Sequence, residues 1–119
     1  MIRDVLTVGP AHTLRQVASA MAARNVGAAV VSDSDGAGIG IITERDILVS
    51  VGKGEDPDAE LTADHRTTSV VFATPQWTIE QAAQAMLRGG FRHLIVISDN
   101  DVAGMLSVRD VVRVWAHSD

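Results

Sequence analysis

The chain repeats itself. Val5, Pro10, Thr13, Gln16, Ala18, Ala20, Met21 and Val31 recur, in order and at one constant offset, as Val70, Pro75, Thr78, Gln81, Ala83, Ala85, Met86 and Val96. After a single-residue deletion, Gly40, Thr43, Arg45 and Asp46 are answered by Gly104, Ser107, Arg109 and Asp110. Self-similarity at this spacing means one supersecondary unit written twice, each copy too small to bury its own apolar surface. With 119 residues in all, the halves are expected to pack into one body rather than fold as independent domains.

Each copy parses in the same way. Thr13 and Thr78 precede apolar residues at helical spacing, Leu14/Val17/Ala18/Met21 and Ile79/Ala82/Ala83/Met86, and Gln16 and Gln81 complete a capping box. Continuous apolar runs follow at Ala28 to Val31 and Leu94 to Ile97. The turn-forming stretches Asp33-Ser34-Asp35-Gly36 and Ser98-Asp99-Asn100-Asp101 separate them from second runs near Ile39 to Ile42 and Val102 to Leu106. These read as paired buried strands. Second helices are expected from Glu44 to Val51 and from Val108 to Ala116. The unit is β-α-β-β-α, and the fold class is α/β (α+β), with two such units packed about a pseudo-twofold axis. The expected boundaries are 1–53 for the first copy, 54–65 for a short acidic, solvated linker, and 66–119 for the second copy.

Composition narrows the function classes. Hydrophobic residues make up 46% of the chain, but in runs too short to span a bilayer, so no membrane partner is expected. A net charge of -5, with lysine only at Lys53, argues against a nucleic-acid partner, which would need clustered cations. Absence of cysteine excludes disulfides, thiolate metal sites and cysteine nucleophiles. No cleavable signal pattern opens the chain at Met1-Ile2-Arg3-Asp4, which gives a cytoplasmic expectation.

The chemistry concentrates where each second helix begins, at Gly40-Ile41-Ile42-Thr43-Glu44-Arg45-Asp46 and Gly104-Met105-Leu106-Ser107-Val108-Arg109-Asp110. A helix N-terminus offers free N–H groups and a positive dipole end that suit a phosphate. Thr43 or Ser107 can add a hydrogen bond. The carboxylate of Asp46 or Asp110 can accept from two vicinal ribose hydroxyls, and Ile41 and Met105 can flank a flat base. Ser or Thr followed three residues later by Asp is also an ordinary helix cap, needed with or without a ligand.

The duplicated motif, together with Val26-Gly27-Ala28-Ala29-Val30-Val31 and Phe91-Arg92-His93-Leu94-Ile95-Val96, resembles the tandem cystathionine-β-synthase (CBS) domain pair, or Bateman module, from about Arg3 to Trp115. The resemblance implies a homodimeric module that binds an adenosine-containing nucleotide such as AMP, ADP or ATP in clefts between the repeats. It further implies signalling to an unknown regulated protein, with no obligatory cofactor. Carried over by residue, one site takes Thr43 and Asp46 with Arg92, His93 and Arg109. The other takes Ser107 and Asp110 with Gly27, Ala28 and Arg45. Gly27-Ala28 stands where the second copy has Arg92-His93, so the resemblance implies tighter phosphate binding at the Asp46 site. At the end of the linker, Asp64 leads into His65-Arg66-Thr67 where the family has an apolar-Met-Thr stretch, so base contacts from that segment are not carried over. The alternative is a dimerising interaction module whose clefts are empty or vestigial.

Other residues carry less. His12, His65, His93 and His117 are scattered, with no pair at metal-ligand spacing and no carboxylate placed to orient one, so no metal site is expected. No nucleophile elbow or hydroxyl–base motif is present, and no catalytic residue is expected. Trp77 and Trp115 read as packing residues, with a dimer face as the alternative role for Trp115.

Overall fold

A computed structural model describes residues 5–32, 39–68, 70–99 and 101–116, apart from the Trp115 side chain. The chain divides into two compact units, Leu6–Ser69 and a second from Val70 onward together with Val5.

In the first unit, β1 (Thr7–Val8) leads through α1 (Leu14–Arg24) to β2 (Ala28–Ser32), then β3 (Ile39–Thr43) and α2 (Glu44–Gly52). The sheet order is β1-β2-β3, with β1 and β2 parallel and β2 and β3 antiparallel. The second unit repeats it with β4 (Phe72–Ala73), α3 (Ile79–Gly89), β5 (His93–Ser98), β6 (Asp101–Ser107) and α4 (Val108–Ala116), in sheet order β4-β5-β6. The β-α-β-β-α reading is therefore observed in both copies. The turn expected at Asp33-Ser34-Asp35-Gly36 lies outside the described residues, as do His117 and the side chain of Trp115.

Local chemistry explains the helices. Thr13 and Thr78 have extended backbone and accept from the amides of Gln16 and Gln81, whose side chains accept in return from the Thr amides. These reciprocal boxes satisfy donors that a helix start otherwise leaves open. α1 ends at Asn25 (φ 54°) and α3 at Gly90 (φ 70°), both left-handed caps that return the chain towards its sheet.

The first core joins Val8, Leu14, Val17, Met21, Ala29, Val31 and Ile42. The second joins Ala73, Ala82, Met86 and Leu94, with Trp77 packed against them as expected. Val30 and Ile41 face each other across the β2–β3 ladder, and Ile95 and Met105 do so across β5–β6. All four are buried. Because successive residues of a strand face opposite ways, both sheets are apolar on both faces.

The segment after α2, expected as a short solvated linker, is also anchored. Much of it is exposed, but it is tied to the first unit by hydrogen bonds from Leu14 N to Glu60 O (3.0 Å), Arg15 N to Pro57 O (3.1 Å) and Thr62 N to His12 O (2.9 Å). Thr62, at the start of a short 3-10 turn (Thr62–Asp64), is fully buried and its hydroxyl also donates to His12 O at 2.7 Å. Beyond the turn, Thr67 pairs with Ile41 of β3.

Candidate functional site

Both motifs sit at a strand-to-helix junction. Thr43 ends β3 and caps α2 with extended backbone (φ -117°, ψ 163°). Its hydroxyl accepts from Asp46 N at 3.2 Å and donates to Asp46 Oδ2 at 3.0 Å, while the same Oδ2 accepts from Thr43 N at 2.8 Å. The second copy reproduces this closely. Ser107 N and Oγ donate to Asp110 Oδ2 at 2.8 and 3.0 Å, and Asp110 N donates to Ser107 Oγ at 3.1 Å. The cap reading of the motif is thus realised in full, with one carboxylate oxygen spent on it. In Asp46 the other oxygen, Oδ1, takes part in none of these bonds.

The amides at the helix starts are also partly committed. Glu44 N donates to Gly27 O and Val108 N to Arg92 O, each at 2.9 Å. With Asp46 and Asp110 N engaged by the hydroxyls, the first-turn amides not so engaged belong to Arg45 and Arg109, whose side chains are exposed. An anion at either helix start would meet that one amide and the dipole end, fewer donors than an uncapped terminus presents.

The remaining residues group by unit. In the first, Ala28 is the ladder partner of Thr43, and Gly27 lies under the Glu44 side chain, whose Oε1 would be 2.9 Å from a Cβ at that position. In the second, His93 is the ladder partner of Ser107, and Arg92 is exposed beside it. Each unit thus brings Gly27-Ala28 to the Thr43 junction and Arg92-His93 to the Ser107 junction. Ile41 and Met105 are buried strand residues two positions before their caps.

Sequence reasoning set Arg66 and Thr67 aside as a departure from the family pattern. Ile41 N donates to Thr67 O and Thr67 N to Ile41 O, which lays this segment along β3. Gly40 is required there, because a Cβ would stand 2.8 Å from the Thr67 carbonyl oxygen. Arg66 is half-buried, and its Nη1 is enclosed without a hydrogen-bond partner. The signal available was the repeat itself, which aligns Thr67 with the residues preceding β1.

One expectation about histidine needs revision, and a second histidine has a local role. His12 is a turn residue whose Nδ1 accepts from Gly9 N at 2.8 Å. His65 does have an orienting carboxylate, since its Nε2 is 2.8 Å from Glu60 Oε1. Neither is visible in sequence because each depends on how the turns close.

Two mixed three-stranded units, each with the same capped Thr/Ser-x-x-Asp junction, define a tandem α+β pair. The CBS domain family matches residues 1–53 and 63–117, and the chain belongs to that family. It is similar to an uncharacterised 17.7 kDa protein of Acidianus ambivalens, 37% identical over 92% of this chain and 66% of the relative. Among solved structures it is similar to the CBS-domain containing protein ATU1752 of Agrobacterium tumefaciens, with 36% identity, a TM-score of 0.81 and coverage of 93% of this chain and 84% of that one. It also superposes on the CBS domain protein PAE2072 of Pyrobaculum aerophilum complexed with AMP, with 26% identity, a TM-score of 0.81 and coverage of 99% and 95%. The chain spans 58 and 66% of the length of two curated archaeal relatives it matches. Among the described residues no helix is long and apolar enough to cross a membrane.

Proposed function

We propose that this CBS pair is a regulatory, non-catalytic module that binds an adenosine-containing nucleotide at its Thr43/Asp46 and Ser107/Asp110 junctions and passes occupancy to a partner protein as a homodimer. The observation that carries this reading is the duplicated cap, with Oδ1 of Asp46 outside it and placed beside a helix start. That oxygen can take the ribose hydroxyls while the helix dipole favours the phosphate. The AMP complex of PAE2072 supports the choice of adenosine. Signalling requires that the nucleotide bind two states of the module unequally.

A second reading is an interaction module that dimerises with vestigial sites. It is favoured by the same caps, which satisfy the hydroxyls and one carboxylate oxygen with no ligand at all, and by exposed Leu48, Val49 and Val51 on α2 and Val112 and Val114 on α4.

Thermal melting of the purified chain against AMP, ADP, ATP, NAD and S-adenosylmethionine, with GMP as control, separates the two. A nucleotide at ~100 times its dissociation constant stabilises by about 2.7 kcal/mol, several degrees for a domain of this size. A shift with an adenosine compound that falls by about half or more in Asp46→Asn supports the first reading. No shift with any of them leaves the second.

A further inference from the structure

Outside the nucleotide motifs, the segment after α2 brings together Glu55, Glu60 and His65. Each offers one ligand atom, and these atoms all lie within 4.8 Å of one another. The His65 and Glu60 side chains are only 16% and 29% exposed, and Glu55 is likewise half-buried. We propose that Glu55, Glu60 and His65 form a binding site for a divalent transition-metal ion of the Zn2+ class.

Charge is the first argument. Two half-buried carboxylates converge on one imidazole, and burial makes such a like-charge pair costly unless a cation joins it. Glu60 already contacts His65, but the Glu55 carboxylate makes no hydrogen bond or ion pair with any described residue. A half-buried carboxylate that stands beside Glu60 and His65 with no hydrogen-bond partner of its own is a group that a bound cation would satisfy.

Geometry is the second. Around a tetrahedral Zn2+ with bonds of about 2.0–2.2 Å, ligand atoms stand roughly 3.3 Å apart. Binding requires the His65 Nε2–Glu60 Oε1 separation of 2.8 Å to open slightly and the longer separations, all within 4.8 Å, to close. The backbone beneath is fixed. Glu55 N is bonded to Ser50 O just after Gly54 (φ 86°), Glu60 N to Asp56 O, and His65 N to Thr62 O, so the donors rise from three anchored points.

The donor set chooses the metal class. Imidazole nitrogen selects for transition metals over Mg2+ and Ca2+, and the two carboxylates suit a borderline ion such as Zn2+. Three protein ligands leave a fourth position for water. A bound ion would tie the C-terminal end of α2 to the turn that precedes Thr67.

The test uses the full chain, free of any affinity tag, stripped with chelator and titrated calorimetrically with ZnCl2, and separately with MgCl2, in the absence of nucleotide. The expected result is one equivalent of Zn2+, a raised melting temperature, and binding weakened roughly tenfold or more in both Glu55→Gln and His65→Gln. Glu55 has no structural partner, so Glu55→Gln keeps the fold and decides the matter if His65→Gln does not. Absence of saturable Zn2+ binding, Zn2+ binding indifferent to Glu55→Gln, or binding of Mg2+ without Zn2+ would each overturn the proposal. None of these outcomes depends on whether the nucleotide reading holds.

Discussion

Ile41 and Thr67 exchange both main-chain hydrogen bonds, at 2.9 Å from Ile41 N and 2.8 Å from Thr67 N. The residue before Ile41 is glycine because the Thr67 carbonyl crosses so close to it. Gly40→Ala is expected to destabilise the protein by about 1–3 kcal/mol, since the obstacle is backbone that cannot swing aside. Gly27→Ala meets only the flexible end of Glu44 and should cost far less. Urea denaturation of both variants checks the ordering.

Ser50 lies on α2 at 2% exposure with its hydroxyl unpaired. Ser50→Ala removes a buried polar atom that has no partner and improves helix propensity. Stability should stay level or rise by roughly 0.5–1 kcal/mol, read from the same denaturation curves. A loss of that size would show that the hydroxyl finds a partner in solution.

Asp46 has two jobs that substitution can separate. Asp46→Ala removes the acceptor for Thr43 N and should cost about 1 kcal/mol. Asp46→Asn keeps an acceptor oxygen for the cap, so its stability should fall by less. An amide has one carbonyl oxygen for both cap and ribose, and nucleotide affinity in Asp46→Asn should therefore drop about tenfold or more. Calorimetric titration beside chemical denaturation gives both numbers.

Leu48 is 68% exposed on α2, near exposed Val49 and Val51. If this surface is the homodimer contact, Leu48→Glu should yield a monomer in sedimentation velocity at concentrations where the wild type is a dimer. A dimer that survives Leu48→Glu and Val112→Glu together would place the contact elsewhere.

The parts legible in sequence were those whose causes are local. The Thr13–Gln16 and Thr78–Gln81 boxes announced α1 and α3, and α4 occupies the expected Val108–Ala116 span because its cap, Ser107 with Asp110, is written within four residues. The Thr43–Asp46 junction was legible as a motif, and the structure added that one carboxylate oxygen is consumed by the cap. What escaped was non-local. Acidity, Gly54 and Pro57 made 54–65 read as a solvated linker, and they gave no sign of its fixed points, the bonds to His12, Leu14 and Arg15, some fifty residues back in the worst case. The approach of His65 to Glu60 depends on the 3-10 turn between them, which no periodicity marks.

Anyone dividing this gene into halves would cut at the glycines and acids after α2, and the hydrogen bonds of Thr62 argue for a different place. A fragment ending at Lys53 would lose the acceptors of the Leu14 and Arg15 amides, the plug that Thr62 sets against His12, and the extended neighbour of β3. A breakpoint between Ser69 and Val70 keeps every one of these bonds within one fragment, with Val5 the described residue it parts from the second unit.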